Sequence, residues 1–283
     1  MLLGGGPGHA MMIESDDLRN VGVSSDDDDD NDALTASTSC CLVYTFDSQA
    51  DVPYDEQIPK SVHHVAMYSN QPILPRLLLD RCTWLTSVDL SNLSEVVGVQ
   101  SGFLAACLCL TDINLSPIIK VKSIGSHFLV GCVGLSSVDM SGISQLEEVG
   151  PSAFEGCTDL TSIDLTPFRN LSASYVPQHF LSGCSGLLSI DLSPLSHVKE
   201  ITNNFMRMCS GLKTIDLSPL SQVTTIGSFF LEDCSSLTTI DFTPMTHIKR
   251  VGSSFLTKCT GLTSVNLSSF GRLTTISPYE VVN

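Results

Sequence analysis

A chain of 283 residues, 42% of them hydrophobic, can bury a substantial core, while its formal charge of −16 is concentrated at the front. Residues 1–80 hold fourteen Asp/Glu against three Lys/Arg, and residues 81–283 hold sixteen against eleven. With no basic stripe to neutralise phosphates, nucleic acid and anionic membranes are excluded as expected partners, and with no apolar run near the roughly 18 residues that span a bilayer, membrane insertion is excluded too.

The opening stretch, Met1 to Asp17, has no basic n-region and is broken by Gly4-Gly5-Gly6-Pro7-Gly8. It does not read as a secretory signal, so a cytoplasmic location is expected. Residues 1–58 are rich in Asp, Ser, Gly and Asn, contain the run Asp26 to Asp30 and show no sustained period. Such a segment cannot offset its ordering entropy by burial, and the expectation is a disordered acidic tail with a short strand at Cys41 to Phe46. Residues 59–80 are transitional: Ile73, Leu74, Leu77, Leu78 and Leu79 look like the back half of a degenerate first coil.

From Cys82 the chain carries a ruler of cysteines at 82, 107, 132, 157, 184, 209, 234 and 259, every interval 25 except the 27 between Cys157 and Cys184. Self-similarity at such a period marks a solenoid, whose coils bury their apolar faces only against their neighbours. The division is therefore a tail at 1–58 and a solenoid over 59–283, with clear 25-residue repeats from 82. Counting the cysteine as position 1, position 4 is Leu in all eight coils, from Leu85 to Leu262. Positions 7 and 9 are Val/Ile and Leu, with Met140 and Phe242 as variants, which is the alternation of a strand with one buried face. One short strand per coil, stacked in parallel, is predicted. Ser/Thr and often Pro follow, as at Pro117, Pro167, Pro194, Pro219 and Pro244, and turn the chain out of the sheet. The second half of each coil, with Val/Leu/Ile near positions 15 and 18 and a Phe-Leu pair near 22 and 23, is too finely divided for a long helix.

The strings CSGLKTIDLSPLSQVTTIGSFFLED (209–233) and CSSLTTIDFTPMTHIKRVGSSFLTK (234–258), with the Ala-Phe variant at Gly150 to Cys157, resemble BspA-type leucine-rich repeats over about 200 residues. The resemblance implies an α/β-type leucine-rich-repeat solenoid, or horseshoe, with a stacked parallel sheet on one face and turns with short helical or extended pieces on the other. It also implies binding or adhesion, often on the surfaces of microbes and protists, and no shared catalytic residues.

Position 8 lies outward between two buried residues and reads Asp89, Asn114, Asp139, Asp164, Asp191, Asp216, Asp241 and Asn266. Position 10 is Ser or Thr throughout, including Ser141, Thr166, Ser193, Ser218 and Thr243. Stacking would set neighbouring carboxylates about 4.8 Å apart, where two unit charges repel by roughly 1 kcal/mol in bulk water and more near a low-dielectric surface. Three readings compete. The row is a locally solvated scaffold feature held by hydroxyl donors, it docks a basic protein surface, or it is a calcium ladder, which lacks the dense oxygen-ligand spacing such sites use.

The register cysteines form neither a zinc-ligand pattern nor a C-x-x-C pair, and a ladder of buried thiols accounts for one per coil. Catalysis needs one activated nucleophile, whereas Ser, Asp and Cys here recur as scaffold. The expectation is a non-enzymatic protein-binding scaffold without metal or cofactor, with Asp139, Asp164, Asp191, Asp216 and Asp241 and the five hydroxyls above as the contact face for a protein, possibly basic. Two alternatives stand beside it: a cell-surface adhesion protein, should the N-terminus be incomplete, and a fragment of a larger protein with catalysis elsewhere.

Overall fold

The computed structural model describes residues 8–13, 40–46, 60 and 62–276. Most of the acidic tail, including Asp26 to Asp30, lies outside the described residues. The strand read at Cys41 to Phe46 spans Cys40–Phe46, lies parallel to Val62–Ser69 and pairs antiparallel with Gly8–Ile13 on its other edge. Val62–Ser69 in turn runs parallel to Ser87–Asn92, and Ile73–Leu74 runs parallel to Gly98–Val99.

The coils build two parallel ladders. The first holds the strand expected at positions 7 to 9, observed at positions 6 to 8 as Asp112–Asn114 against Ser137–Asp139 and Thr239–Asp241 against Ser264–Asn266. The three coils between them present the same residues without strand pairing. The second ladder is more continuous, although its strands are two residues long. Ile73–Leu74, Gly98–Val99, Ser123–Ile124 and Glu148–Val149 stack in register, and so do Tyr175–Val176, Glu200–Ile201, Thr225–Ile226, Arg250–Val251 and Thr275–Ile276. The break falls in the 27-residue coil. There the Ser172 amide bonds back to the Glu147 carbonyl at 2.8 Å, while the Ser174 carbonyl carries the ladder forward to the Lys199 amide at 2.7 Å, so the extra residues are spent between them.

The chain leaves the first ladder through short 3₁₀ turns at Thr166–Asn170, Ser193–Leu195, Ser218–Leu220 and Ser268–Arg272. In the first three, Pro167, Pro194 or Pro219 sits at the start, where its fixed φ suits the turn and its missing N–H costs nothing. The helical pieces thus lie between the two ladders.

The return to the next cysteine carries the Phe-Leu pair, but its backbone conformation has no sequence signature. At five, three and one residues before each of the eight cysteines the backbone has positive φ, as at His127, Leu129 and Gly131 or Phe229, Leu231 and Asp233. Twenty of these positions are not glycine, and a left-handed non-glycine residue costs about 1 kcal/mol or more. Inter-coil hydrogen bonds offset it. From Leu104 to Leu256 the middle amide of a trio bonds the preceding coil, as Leu129 to the Phe103 carbonyl at 3.0 Å, and from Leu77 to Asp233 the outer two bond the following coil, as His127 to Pro151 at 2.8 Å and Gly131 to Glu155 at 2.6 Å. Alternating handedness turns successive N–H groups toward opposite neighbours, which makes this stretch a third hydrogen-bonded stack.

The core between these stacks is a column of repeated side chains. The position-4 leucines from Leu85 to Leu237 are fully buried, and phenylalanines form a spine, Phe103 to Phe128 at 5.7 Å between ring centroids and Phe180 through Phe205 to Phe230 at 6.5 and 5.8 Å. At the 27-residue coil the additional Phe168 is buried and packs edge-on against Phe180 at 5.4 Å. The eight register cysteines are buried, and from Cys107 onward each thiol donates to the carbonyl of the central left-handed residue of the preceding trio, at 3.0 to 3.3 Å, as Cys132 to Leu104 and Cys209 to Leu181. The carbonyls of Leu79, Leu129, Phe154 and Leu181 also accept the amide of the cysteine three residues on at 3.4 Å, so there the thiol adds a second bond, and the cysteine is both filler and donor.

Candidate functional site

The strand-exit face is built by position 8. In every coil from Asp89 to Asn266 the Oδ1 of this residue accepts the backbone N–H two residues on, at 2.8 to 3.1 Å. This is the turn-forming bond of a short Asx side chain, and it bends the chain from the ladder into the proline turn. Asn114 and Asn266 make it as well as the aspartates do, so the repeated requirement is an oxygen acceptor. The sequence presented positions 8 and 10 as separate stripes, whereas the structure ties them together pair by pair. The hydroxyl joins in as well, as Ser218 to Asp216 Oδ2 at 2.9 Å and Thr243 to Asp241 Oδ2 at 2.8 Å.

Asp139, Asp164, Asp191, Asp216 and Asp241 are all exposed, as are Ser141, Ser193, Ser218 and Thr243, while Thr166 is half-buried. The Ser141 amide and then its hydroxyl hold the Asp139 carboxyl below the usual carboxylate range, and at Asp191 the Ser193 hydroxyl leads and the amide follows. At these two sites hydrogen bonding to the charged form outweighs the opposing desolvation.

The stripe is not uniformly acidic. Arg169, in the 27-residue coil, lines two adjoining grooves. One, of about 330 Å³, includes Met140, Ser141, Asp164 and Pro167, and the other, of about 380 Å³, includes Asp191, Ser193 and His197. Arg169 Nε donates to the Thr166 carbonyl at 3.2 Å. Neither Arg169 nor the grooves were named from sequence. The available signal was the 27-residue interval itself.

Elsewhere the polar side chains join coils. Glu155 Oε1, His179 and Asn204 form a chain, 3.0 Å to Nδ1 and 3.3 Å from Nε2. The amide of Asn204 occupies the ring nitrogen that a nucleophile would need, so this is a coil-to-coil clasp. Buried Glu232 is held by Arg207 at 2.6 Å with Lys258 at 3.9 Å. Among the described residues no group of three His, Cys, Asp or Glu could hold a metal ion, and no helix is long and apolar enough to cross a membrane.

A sequence profile described as a BspA type leucine rich repeat region matches residues 74–195 and 174–281, in six copies. The chain belongs to the BspA-type leucine-rich repeat family. Solved structures similar to this BspA-type chain include a leucine rich repeat protein of T. pallidum, 18% identical, covering 83% of this chain and 77% of that one with a TM-score of 0.38. A leucine rich cell surface protein of Faecalibacterium prausnitzii is 15% identical, with coverage of 97% and 98% and a TM-score of 0.33. The functional domain of InlJ from Listeria monocytogenes, described as including a cysteine ladder, is 14% identical, with coverage of 81% and 60% and a TM-score of 0.34. Among curated proteins none matches the sequence. BspA-type repeat proteins are repeat scaffolds, generally of protein interaction or adhesion.

Proposed function

We propose that this BspA-type chain is a non-enzymatic scaffold that binds another protein along its strand-exit face. The contact row is Asp139, Asp164, Asp191, Asp216 and Asp241, with Ser141, Thr166, Ser193, Ser218 and Thr243 beside it. The observation that carries this reading is that five consecutive coils present exposed carboxylates whose geometry is already fixed by their own turns, so a partner need not freeze them. Such a row suits a protein with a basic surface, speeds encounter at low salt, and takes its register from Arg169 beside Asp164 and Asp191. The thiol ladder requires reduced cysteines, which favours a reducing, cytoplasmic setting.

The test is capture from the source cells by the whole chain and by a variant with all five aspartates changed to asparagine, which keeps the turn acceptor and removes the charge. A partner retained by the first and lost by the folded second supports the face. Equal capture by both removes it from consideration, and a partner reached only on intact cells would turn the reading to adhesion.

A further inference from the structure

The second ladder differs from the first in its outward residues, which change from coil to coil. They are Ile73, Gly98, Ser123 and Glu148 in the front half and Tyr175, Glu200, Thr225 and Arg250 in the back half. On the first ladder a turn bond dictates the same acceptor in every coil. No such bond constrains the second. Glu200 and Arg250 are exposed and make no ion pair with a described residue, since Thr225 stands between them and two rungs of a ladder spaced about 4.8 Å hold them roughly 10 Å apart. They flank a groove of about 320 Å³ that includes Gln178, Asn203 and Gly227. One rung beyond Glu200, Tyr175 is 47% exposed, the one exposed Phe, Tyr or Trp ring among the described residues.

We propose that this groove binds a proline-rich segment in the polyproline II conformation, with a basic residue against Glu200 and an acidic residue three positions away against Arg250. Polyproline II rises about 3.1 Å per residue with three residues per turn, so residues three apart share a face and lie about 9.3 Å apart. That matches the two-rung span. In an extended strand the same-face neighbours are about 7 Å or about 13 Å apart, and neither fits. Tyr175 supplies the aromatic surface on which prolines pack. The groove polar groups Thr225, Gln178 and Asn203 face a ligand backbone that has no internal hydrogen bonds. This site is separate from the strand-exit face and does not depend on it.

The test is fluorescence polarisation of the full chain with labelled Pro-Pro-Lys-Pro-Pro-Glu-Pro-Pro, its charge-reversed companion Pro-Pro-Glu-Pro-Pro-Lys-Pro-Pro, and a control with one proline between Lys and Glu. One of the first two should bind, with the control weaker by about tenfold, or about 1.4 kcal/mol. Glu200→Gln, Arg250→Gln and Tyr175→Ala, each verified as folded by circular dichroism, should each weaken binding by a similar factor. Exchanging the charges with Glu200→Arg and Arg250→Glu should transfer the preference to the other peptide. The five-asparagine variant of the strand-exit face should bind as the parent does. The proposal is overturned by binding that ignores the Lys-Glu spacing, by binding unchanged in both Gln variants, by loss in the five-asparagine variant, or by no binding of either peptide.

Discussion

Ser218 donates twice to Asp216, its amide to Oδ1 at 2.8 Å and its hydroxyl to Oδ2 at 2.9 Å. The amide half of this pairing recurs in every coil from Asp89 to Asn266, whether the acceptor is a carboxylate or an amide oxygen. The row of aspartates is therefore first a row of turn locks, and any partner contact is an additional use of side chains already placed.

Removing the acceptor and removing the charge should have different consequences. Asp216→Ala deletes the turn bond and should cost about 1 kcal/mol. Asp216→Asn keeps Oδ1 and eases repulsion from Asp191 and Asp241 on the adjoining rungs, so the melting temperature should stay level or rise slightly. Calorimetry of the two variants decides, and equal losses would show that the charge itself is needed for folding.

The low pKa values of Asp139 and Asp191 set a pH dependence. A carboxyl whose folded pKa is depressed contributes stability above its unfolded value, about 4, and loses it as pH falls through the folded value. The melting temperature should therefore decline as the medium is acidified below about pH 4, and Asp139→Asn with Asp191→Asn should flatten the decline. An identical acid profile in that double variant would contradict the assignment.

The cysteine ladder should be inert. Burial pushes the Cys132 and Cys184 thiols up to about 12 and raises those of Cys107, Cys157, Cys209 and Cys234 well above the ordinary range. Cys109 is exposed. Iodoacetamide at mildly alkaline pH should label Cys109 in the native protein and reach the ladder only after denaturant is added, as read by peptide mass mapping. Native-state labelling of Cys157 or Cys209 at the rate of Cys109 would show that the ladder opens.

Glycines immediately after the second-ladder strands, Gly125, Gly150, Gly227 and Gly252, are needed because adjacent coils there meet backbone to backbone. A Cβ at Gly252 would lie 2.3 Å from the Ser228 nitrogen, whereas one at Gly271 would meet nothing within 4 Å. Gly252→Ala should cost about 3 kcal/mol and Gly271→Ala close to nothing, as measured by urea unfolding. Similar midpoints for the two would refute the close approach.

Coil length, strand exit and proline turn were legible in the sequence because each recurs along the chain, the strand exit in eight coils and the turn proline in five, so that even Met140 and Phe242 read as variants of one slot. The second ladder was not legible as a sheet: strands as short as Glu200–Ile201 give no alternation to count, and only stacking defines them. The left-handed trios were hidden for a different reason. Residues such as Leu104, Phe154 and Met206 carry no preference for positive φ, and inter-coil bonds impose it against their intrinsic cost. At the candidate face, the identity and exposure of the five aspartates followed from register, but their turn bonds and the placing of Arg169 depend on how the chain bends after the strand.

The central claim is that the five carboxylates form a protein-binding face. Its most direct test is calorimetric titration of a captured partner into the parent chain and into the five-asparagine variant, at low and high ionic strength. The account predicts that the variant binds at least about tenfold more weakly at low salt, about 1.4 kcal/mol, and that the difference narrows as salt screens the row. Equal affinities at low salt, with both proteins folded, would contradict it and leave the aspartates as turn locks alone.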